Sequence, residues 1–139
     1  MGRQAGNHVH RRIAVIEDDE HVSMLLCYNL RAAGYEPEAC GDGYEALRRL
    51  MSAPPALVLL DWMMPGLSGI EILRALRKAP ELRGLPVLMV TARTGLEDRN
   101  RALGLGVDEV LAKPFSISYV LTRVQALLSD GENASAMRN

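Results

Sequence analysis

Cysteine is scarce in this chain of 139 residues: there are two, Cys27 and Cys40. They lack CxxC spacing and are too few for a disulfide framework or a zinc site, so both read as small buried hydrophobes in a reducing compartment. Histidine is scarce as well. His8 and His10 fall in the polar start MGRQAGNHVHRR, and His21 falls early in a predicted helix, where simple exposure accounts for it. No apolar stretch approaches the ~20 residues of a membrane span, and the start has no apolar signal core. The expectation is therefore a cytoplasmic protein with no membrane contact. An excess of one charge is also missing. Sixteen basic and 17 acidic residues give a formal net charge of -1, and Arg and Lys are scattered, which argues against direct nucleic-acid binding by this chain. There is no internal repeat and no low-complexity block.

What is present is apolar substance in short pieces. Hydrophobic residues make up 48% of the chain, and its length suits one domain with a full core. Four apolar runs stand out: IAVI (13–16), ALVLL (56–60), PVLMV (86–90) and EVLA (109–112). They are continuous rather than alternating, as strands covered on both faces are. A fifth, YEPEAC (35–40), alternates and holds Pro37, which predicts an edge strand. Helical patterns lie between the runs. Residues 19–33 place Val22, Leu25, Leu26, Cys27 and Leu30 on one broad face, and Gly34 stops them. Residues 43–52 carry Ala46, Leu47, Leu50 and Met51, and residues 68–78 carry Ile70, Leu73 and Leu76 behind Ser68 as cap. Residues 116–129 show a firm stripe of Val120, Leu121, Val124, Leu127 and Leu128, capped by Ser116. The segment 95–105 is the poorest, with Leu96 and Leu103 among Gly95, Gly104 and Gly106, so it should be the loosest helix. Strand and helix alternate five times, the pattern of an α/β, doubly wound parallel sheet. The expected organisation is a flexible leader (1–10), one domain (11–129) and a flexible tail or linker stump (130–139).

Polar residues cluster where these strands end. In chain order, the first strand, IAVI, ends in Glu17, Asp18 and Asp19, the third, ALVLL, in Asp61, the fourth, PVLMV, in Thr91 and the fifth, EVLA, in Lys113-Pro114. Ligands of open α/β sheets bind at the carboxyl ends of the strands, at the switch in strand order. Taken singly, each residue has an ordinary explanation. Acids favour a helix N-terminus, and Asp61 stands near the turn formers Pro65 and Gly66. The joint pattern of acids at two strands, a hydroxyl at the fourth and a lysine at the fifth is much harder to obtain by chance. Crowded carboxylates repel unless a cation lies among them, and hard oxygen ligands suit Mg2+. A lysine and a hydroxyl opposite such a metal suit a phosphoryl group, and an aspartate can accept it as an acyl phosphate.

With these residues in view, the chain resembles a receiver domain of a two-component response regulator (CheY-like). The motifs are VIEDDE (15–20), LVLLDWMMPGLSGIEIL (57–73), VLMVTAR (87–93) and VDEVLAKPF (107–115), and the resemblance covers about residues 11–129. It implies a (βα)5 fold of flavodoxin-like strand order 2-1-3-4-5. It implies Asp61 as the phospho-acceptor. Asp18 becomes a direct Mg2+ ligand, with Mn2+ as an alternative metal. Glu17 acts through water, and the backbone carbonyl of Met63 is a third protein ligand. Lys113 and Thr91 would hold the phosphoryl group, helped by the backbone N–H groups of Met63 and Ala92, and the Lys113-Pro114 bond would be cis. The implied partner is a sensor histidine kinase or a phosphotransfer protein. The activity would be Mg2+-dependent self-phosphorylation from a donor and slow hydrolysis of the acyl phosphate, rather than that of an ordinary enzyme. The pair Met63 and Arg93 would gate the attacking water, and so large a pair predicts a long phosphoryl lifetime.

The motifs are most similar to the winged-helix transcription-factor branch. That likeness implies a symmetric dimer through the 95–123 face, with Glu97, Asp98, Arg99, Asp108, Glu109 and Arg123 available for ion pairs, although Gly104 and Tyr119 replace residues usually acidic. It also implies DNA contact through a C-terminal domain not contained in these residues. One departure concerns the switch formed with Thr91. Val110 occupies the place of a Tyr or Phe and lacks the ring that would swing inward. Other readings are weaker. A haloacid-dehalogenase phosphatase would want a second Asp where Met63 stands, and a flavodoxin-like FMN binder would want hydroxyls where EDDE stands. A pseudo-receiver with phosphorylation-independent output draws only on Val110. Because Trp62 is the only tryptophan and adjoins Asp61, its fluorescence should change on adding Mg2+ and again on adding beryllofluoride. A signal flat through both additions would contradict a metal and phosphoryl site at Asp61.

Overall fold

A computed structural model describes residues 11–93 and 95–138 of the chain, with side chains as far as Ser129. The expected leader 1–10, with His8 and His10, lies outside the described residues. Five parallel strands form one sheet in the order β2-β1-β3-β4-β5, as expected: β1 (Arg12–Ile16), β2 (Glu36–Cys40), β3 (Leu57–Leu60), β4 (Val87–Thr91) and β5 (Glu109–Ala112). Among the described residues, five α-helices separate and follow them: α1 (Glu20–Ala32), α2 (Gly43–Ser52), α3 (Gly69–Lys78), α4 (Leu96–Gly104) and α5 (Ile117–Arg138). A 3-10 turn at Pro80–Leu82 follows α3. The α5 bounds run past residue 129, through the segment expected as a tail, whose side chains lie outside the described residues.

The continuous apolar runs are explained by two cores, one on each face of the sheet. Ile13, Val15, Leu57, Leu59 and Leu88 face α1 and α5, where they meet Leu26, Leu30, Val120 and Val124. Ala14, Ile16, Val58, Leu60 and Met89 face the other way, toward Ala46 and Leu50 of α2, Ile72, Leu73 and Leu76 of α3, and Ala102 of α4. Every residue of β3 and β4 is buried, so neither strand shows alternation. β2 pairs only with β1, setting Pro37 beside Ile13, and its exposed pattern is that of the predicted edge. Cys27 and Cys40 are free and buried.

Three helix faces differ from the sequence expectation. Leu25 is 48% exposed, because the buried stripe of α1 runs through Ser23, Leu26, Cys27 and Leu30, and Leu25 is about 100° around the helix from Leu26. Met51 is likewise exposed at the end of α2. In α4 both Leu96 and Leu103 are exposed, and Ala102 is the buried residue. A helix that buries one alanine has little hydrophobic attachment, consistent with the loosest segment expected there.

The end of the sheet remote from the strand carboxyl ends is fastened by Arg77. Its guanidinium donates to the carbonyls of Gly106 at 2.9 Å and Leu82 at 3.0 Å and pairs with Asp108 at 3.5 Å. Asp108 in turn accepts from the Val87 N–H at 2.7 Å. One side chain thus ties α3 to the turn between α4 and β5. Arg77→Met keeps the stem but leaves these acceptors unpaired. It should cost roughly 2 kcal/mol in urea unfolding, and a loss below a few tenths would show that water satisfies the acceptors equally well.

Candidate functional site

The strand ladder carries the polar residues to one place by continuing one residue beyond the strands. The Glu17 N–H donates to Cys40 O at 3.1 Å, the Asp61 N–H to Ile16 O at 3.0 Å, and the Lys113 N–H to Thr91 O at 2.8 Å. Glu17 and Asp61 therefore leave adjacent strands side by side, and Lys113 leaves β5 on the far side of β4. Asp19 caps α1, its carboxylate accepting from His21 and Val22 N–H groups. That accounts for one acid of the EDDE run as an ordinary cap and leaves Glu17 and Asp18 for other work.

Glu17, Asp18 and Asp61 each offer a carboxylate oxygen, all within 4.8 Å of one another. Glu17 and Asp61 are buried, whereas Asp18 is exposed. The ammonium of Lys113 bridges the two buried acids, 2.7 Å from Glu17 Oε1 and 3.0 Å from Asp61 Oδ2. The second oxygen of Glu17 accepts the Asp19 N–H at 3.1 Å, and Asp61 Oδ1 accepts the Met63 N–H at 3.2 Å. Burial drives the Glu17 pKa above its ordinary value of 4.5, and the bonds from Lys113 and the Asp19 N–H only partly offset it. Burial alone would lower Lys113, but the two carboxylates more than reverse this and raise it above 10.5. Two buried acids share one ammonium and a third, exposed acid lies beside them, an excess of negative charge composed of hard oxygens. Such a donor set fits a divalent cation of the Mg2+ kind.

Local packing fixes Asp61. The chain turns at Gly66, whose φ of 79° favours glycine, under the ring of Tyr44. Gly69 opens α3 so close to the loop after β3 that a Cβ there would lie 2.1 Å from the Asp61 carbonyl oxygen. Ser68 caps α3, and Glu71 completes a capping box with it. The bond between Lys113 and Pro114 is cis, as expected. An open groove leads away from the acids along Ser23, Met24, Ala39 and Gly41.

The remaining predicted residues are placed differently. Thr91 is fully buried, and its hydroxyl accepts the Arg93 N–H at 3.0 Å rather than bonding Asp61 or Lys113. Ala92 follows it and is exposed. Val110 is buried in the core on the α2, α3 and α4 side. Met63 is 58% exposed beside the acids. The Arg93 guanidinium lies over the Trp62 ring, 4.8 Å from its centroid, and 4.0 Å from Met63 Sδ, and it pairs with Asp98 at 3.1 Å. Nothing in the sequence marks Trp62 and Asp98 as partners of Arg93, because the three are brought together only by the loop after β4. Of the six charges expected to serve a dimer, Asp98, Asp108, Glu109 and Arg123 are already in pairs within the chain: Asp98 with Arg93, Asp108 with Arg77, and Glu109 with Arg123. Tyr119 donates to Glu109 as well. Arg99 reaches the Val110 carbonyl at 3.4 Å.

Comparison with known proteins gives the same result from a separate direction. The family model described as "Response regulator receiver domain" matches residues 13–125. The phosphate regulon transcriptional regulatory protein PhoB of Rhizobium meliloti is 48% identical over 117 residues, covering 84% of this chain and 52% of that protein. The alkaline phosphatase synthesis transcriptional regulatory protein PhoP of Bacillus subtilis is 39% identical, covering 94% and 55%. The chain spans about half the length of these curated relatives. Among solved structures, the Francisella response regulator 1452 receiver domain superposes with a TM-score of 0.81 at 31% identity, covering 86% of this chain and 98% of that one. The receiver domain of sensor histidine kinase PA1611 from Pseudomonas aeruginosa, described with a magnesium ion coordinated in its active-site cleft, gives 0.79 at 27% identity, covering 86% and 98%. The order of the strands, the acidic cluster at their carboxyl ends and these matches place the chain in the response regulator receiver domain family of two-component signalling.

Proposed function

We propose that Asp61 is the phospho-acceptor of this receiver domain and that a histidine kinase or phosphotransfer protein is its donor. The observation that carries the reading is the double grip on Asp61, with Lys113 Nζ on one oxygen and the Met63 N–H on the other. Both donors are positioned to stabilise the charge of a group added there. In the transfer, an Asp61 oxygen forms the new bond to phosphorus as the bond from phosphorus to the donor's imidazole nitrogen breaks, and that nitrogen takes up a proton. The transferred oxygens then meet Lys113, the Met63 and Ala92 N–H groups, and the Thr91 hydroxyl once it turns from the Arg93 N–H.

Mg2+, or Mn2+ of the same hard class, supplies positive charge among the three acids when bound. Asp18, Asp61 and the Met63 carbonyl would hold it directly. Glu17, which Lys113 and the Asp19 N–H already hold, would reach it through water. Hydrolysis of the acyl phosphate requires water to enter past Met63 and Arg93, which lie against each other there, and this supports the long phosphoryl lifetime. No helix among the described residues is long and apolar enough to cross a membrane. The relatives' names concern transcription, so we further propose that this domain works with a DNA-binding C-terminal domain. A dimer through α4, β5 and α5 would have to exchange the intrachain pairs of Asp98, Asp108 and Glu109 for contacts between subunits.

Asp61→Asn should abolish Mg2+-dependent labelling by acetyl phosphate while leaving the fold intact by circular dichroism. Labelling at the wild-type level would remove Asp61 from the role. A second outcome follows from the raised Glu17 pKa. Folding stabilised by a proton on Glu17 is fully present below 4.5 and is lost as pH rises through the higher folded value. In EDTA, Glu17→Gln should therefore gain stability relative to the wild type as pH rises from about 4 to about 7. Urea unfolding at the two pH values measures this, and a difference that shrinks with rising pH would show Glu17 to be favourably ionised without metal.

A further inference from the structure

The first turn of α4 has few attachments. Gly95 gives it no side-chain cap, Leu96 is 72% exposed, and the buried residue of the helix, Ala102, lies in its later turns. The far end is fastened, since the Val107 N–H bonds Ala102 O, Asp108 bonds Val87, and Arg77 holds Gly106. At the near end the side-chain contacts among the described residues are a long bond from Arg99 to the Val110 carbonyl at 3.4 Å and the pairing of Asp98, which accepts from Arg93 Nε at 3.1 Å and Nη2 at 3.3 Å. The same guanidinium covers Trp62 and touches Met63, the two residues that follow Asp61, and Met63 bonds Asp61 through its own N–H. One side chain thus joins the acceptor loop to the loosest helix. The route does not pass through Val110, which is packed into the core and has no ring to move.

We propose that Asp98 is a positioning residue: by competing with the phosphoryl group for Arg93, it couples the charge state of Asp61 to the first turn of α4. The inference rests on the reading of Asp61 as acceptor. In the unphosphorylated protein Arg93 is shared by Asp98 and the Trp62 face. A phosphoryl group adds up to about two negative charges beside Met63. Arg93 then exchanges the Asp98 carboxylate for the phosphoryl oxygens. Asp98 loses its partner, and the first turn of α4 loosens while the end near Gly106 stays anchored.

The test uses the full chain with Mg2+ and compares the wild type with Asp98→Asn and Asp98→Glu. Hydrogen exchange is followed at the Arg99 and Asn100 amides, where the helical bonding of α4 begins, Arg99 bonding Gly95 O at 3.0 Å. Beryllofluoride should speed these amides roughly two- to fivefold in the wild type, the scale of one exposed ion pair, and should change Trp62 fluorescence. Asp98→Asn should show the fast exchange without beryllofluoride and no further step, and should still be labelled by acetyl phosphate. Asp98→Glu should restore the protected baseline and the step. If Asp98→Asn is labelled yet keeps the wild-type baseline and step, the coupling through Asp98 is wrong and Asp61 keeps its role. If the wild type is not labelled at all, the acceptor reading fails, and this inference fails with it.

Discussion

Lys113 places one ammonium between two buried carboxylates, 2.7 Å from Glu17 and 3.0 Å from Asp61, with exposed Asp18 close by. Charges of one sign cannot be crowded in a low-dielectric site without compensation. The geometry that makes the arrangement tolerable is also the geometry that makes it useful. The ammonium holds the Asp61 oxygen in place, and the uncompensated negative charge favours a cation. Neither condition could be met by residues near one another in sequence, because Glu17, Asp61 and Lys113 come from three strands. The sheet is what brings them together. Its strands are buried on both faces and in fixed register, so the residues just past their ends have little freedom to separate.

The rest of the molecule divides into parts that must be rigid for this site and parts that need not be. The loop after β3 is among the rigid ones. Gly69 approaches the Asp61 carbonyl too closely for any side chain, and the Ser68–Glu71 capping box fixes the start of α3 directly behind Asp61. α4 is at the other extreme, lacking a side-chain cap and burying one alanine. A helix held chiefly by polar contacts at its ends can change its position at small cost, whereas α3, with five buried residues, cannot. The site is therefore bordered on one side by packing and on the other by charge.

Much of this was legible in the sequence because burial on both faces leaves a simple mark. The runs IAVI, LVLL and VLMV show no alternation, and that alone distinguishes a central parallel strand from the edge strand at Pro37. The acids, Thr91 and Lys113 were legible because each follows such a run directly. Where reading failed, the cause was geometric. Leu25 looked like part of the buried face of α1, yet one residue along a helix turns it out of the stripe. The pairing of Asp98 with Arg93 inside the chain was not legible, since the distance from α4 back to Arg93 depends on how the intervening loop folds. Trp62 looked like a neighbour of the acceptor, and its use as a platform for a cation is visible only in three dimensions.

The valine at position 110 then takes on a different meaning. A small buried side chain in β5 removes one way for a change at Thr91 to reach the surface, but it leaves the Thr91 backbone tied to Lys113 and the Thr91 hydroxyl tied to Arg93. Any movement of that hydroxyl toward a new anion on Asp61 releases the N–H of the residue whose guanidinium spans Trp62, Met63 and Asp98. The physical requirement for a switch is two arrangements of similar free energy that the added charge favours unequally. An exposed arginine with an aromatic face on one side and a carboxylate on the other meets that requirement without an aromatic side chain in β5. An exchange of partners by Arg93 takes place among polar and cation–π contacts at the rim and asks no rearrangement of the apolar core.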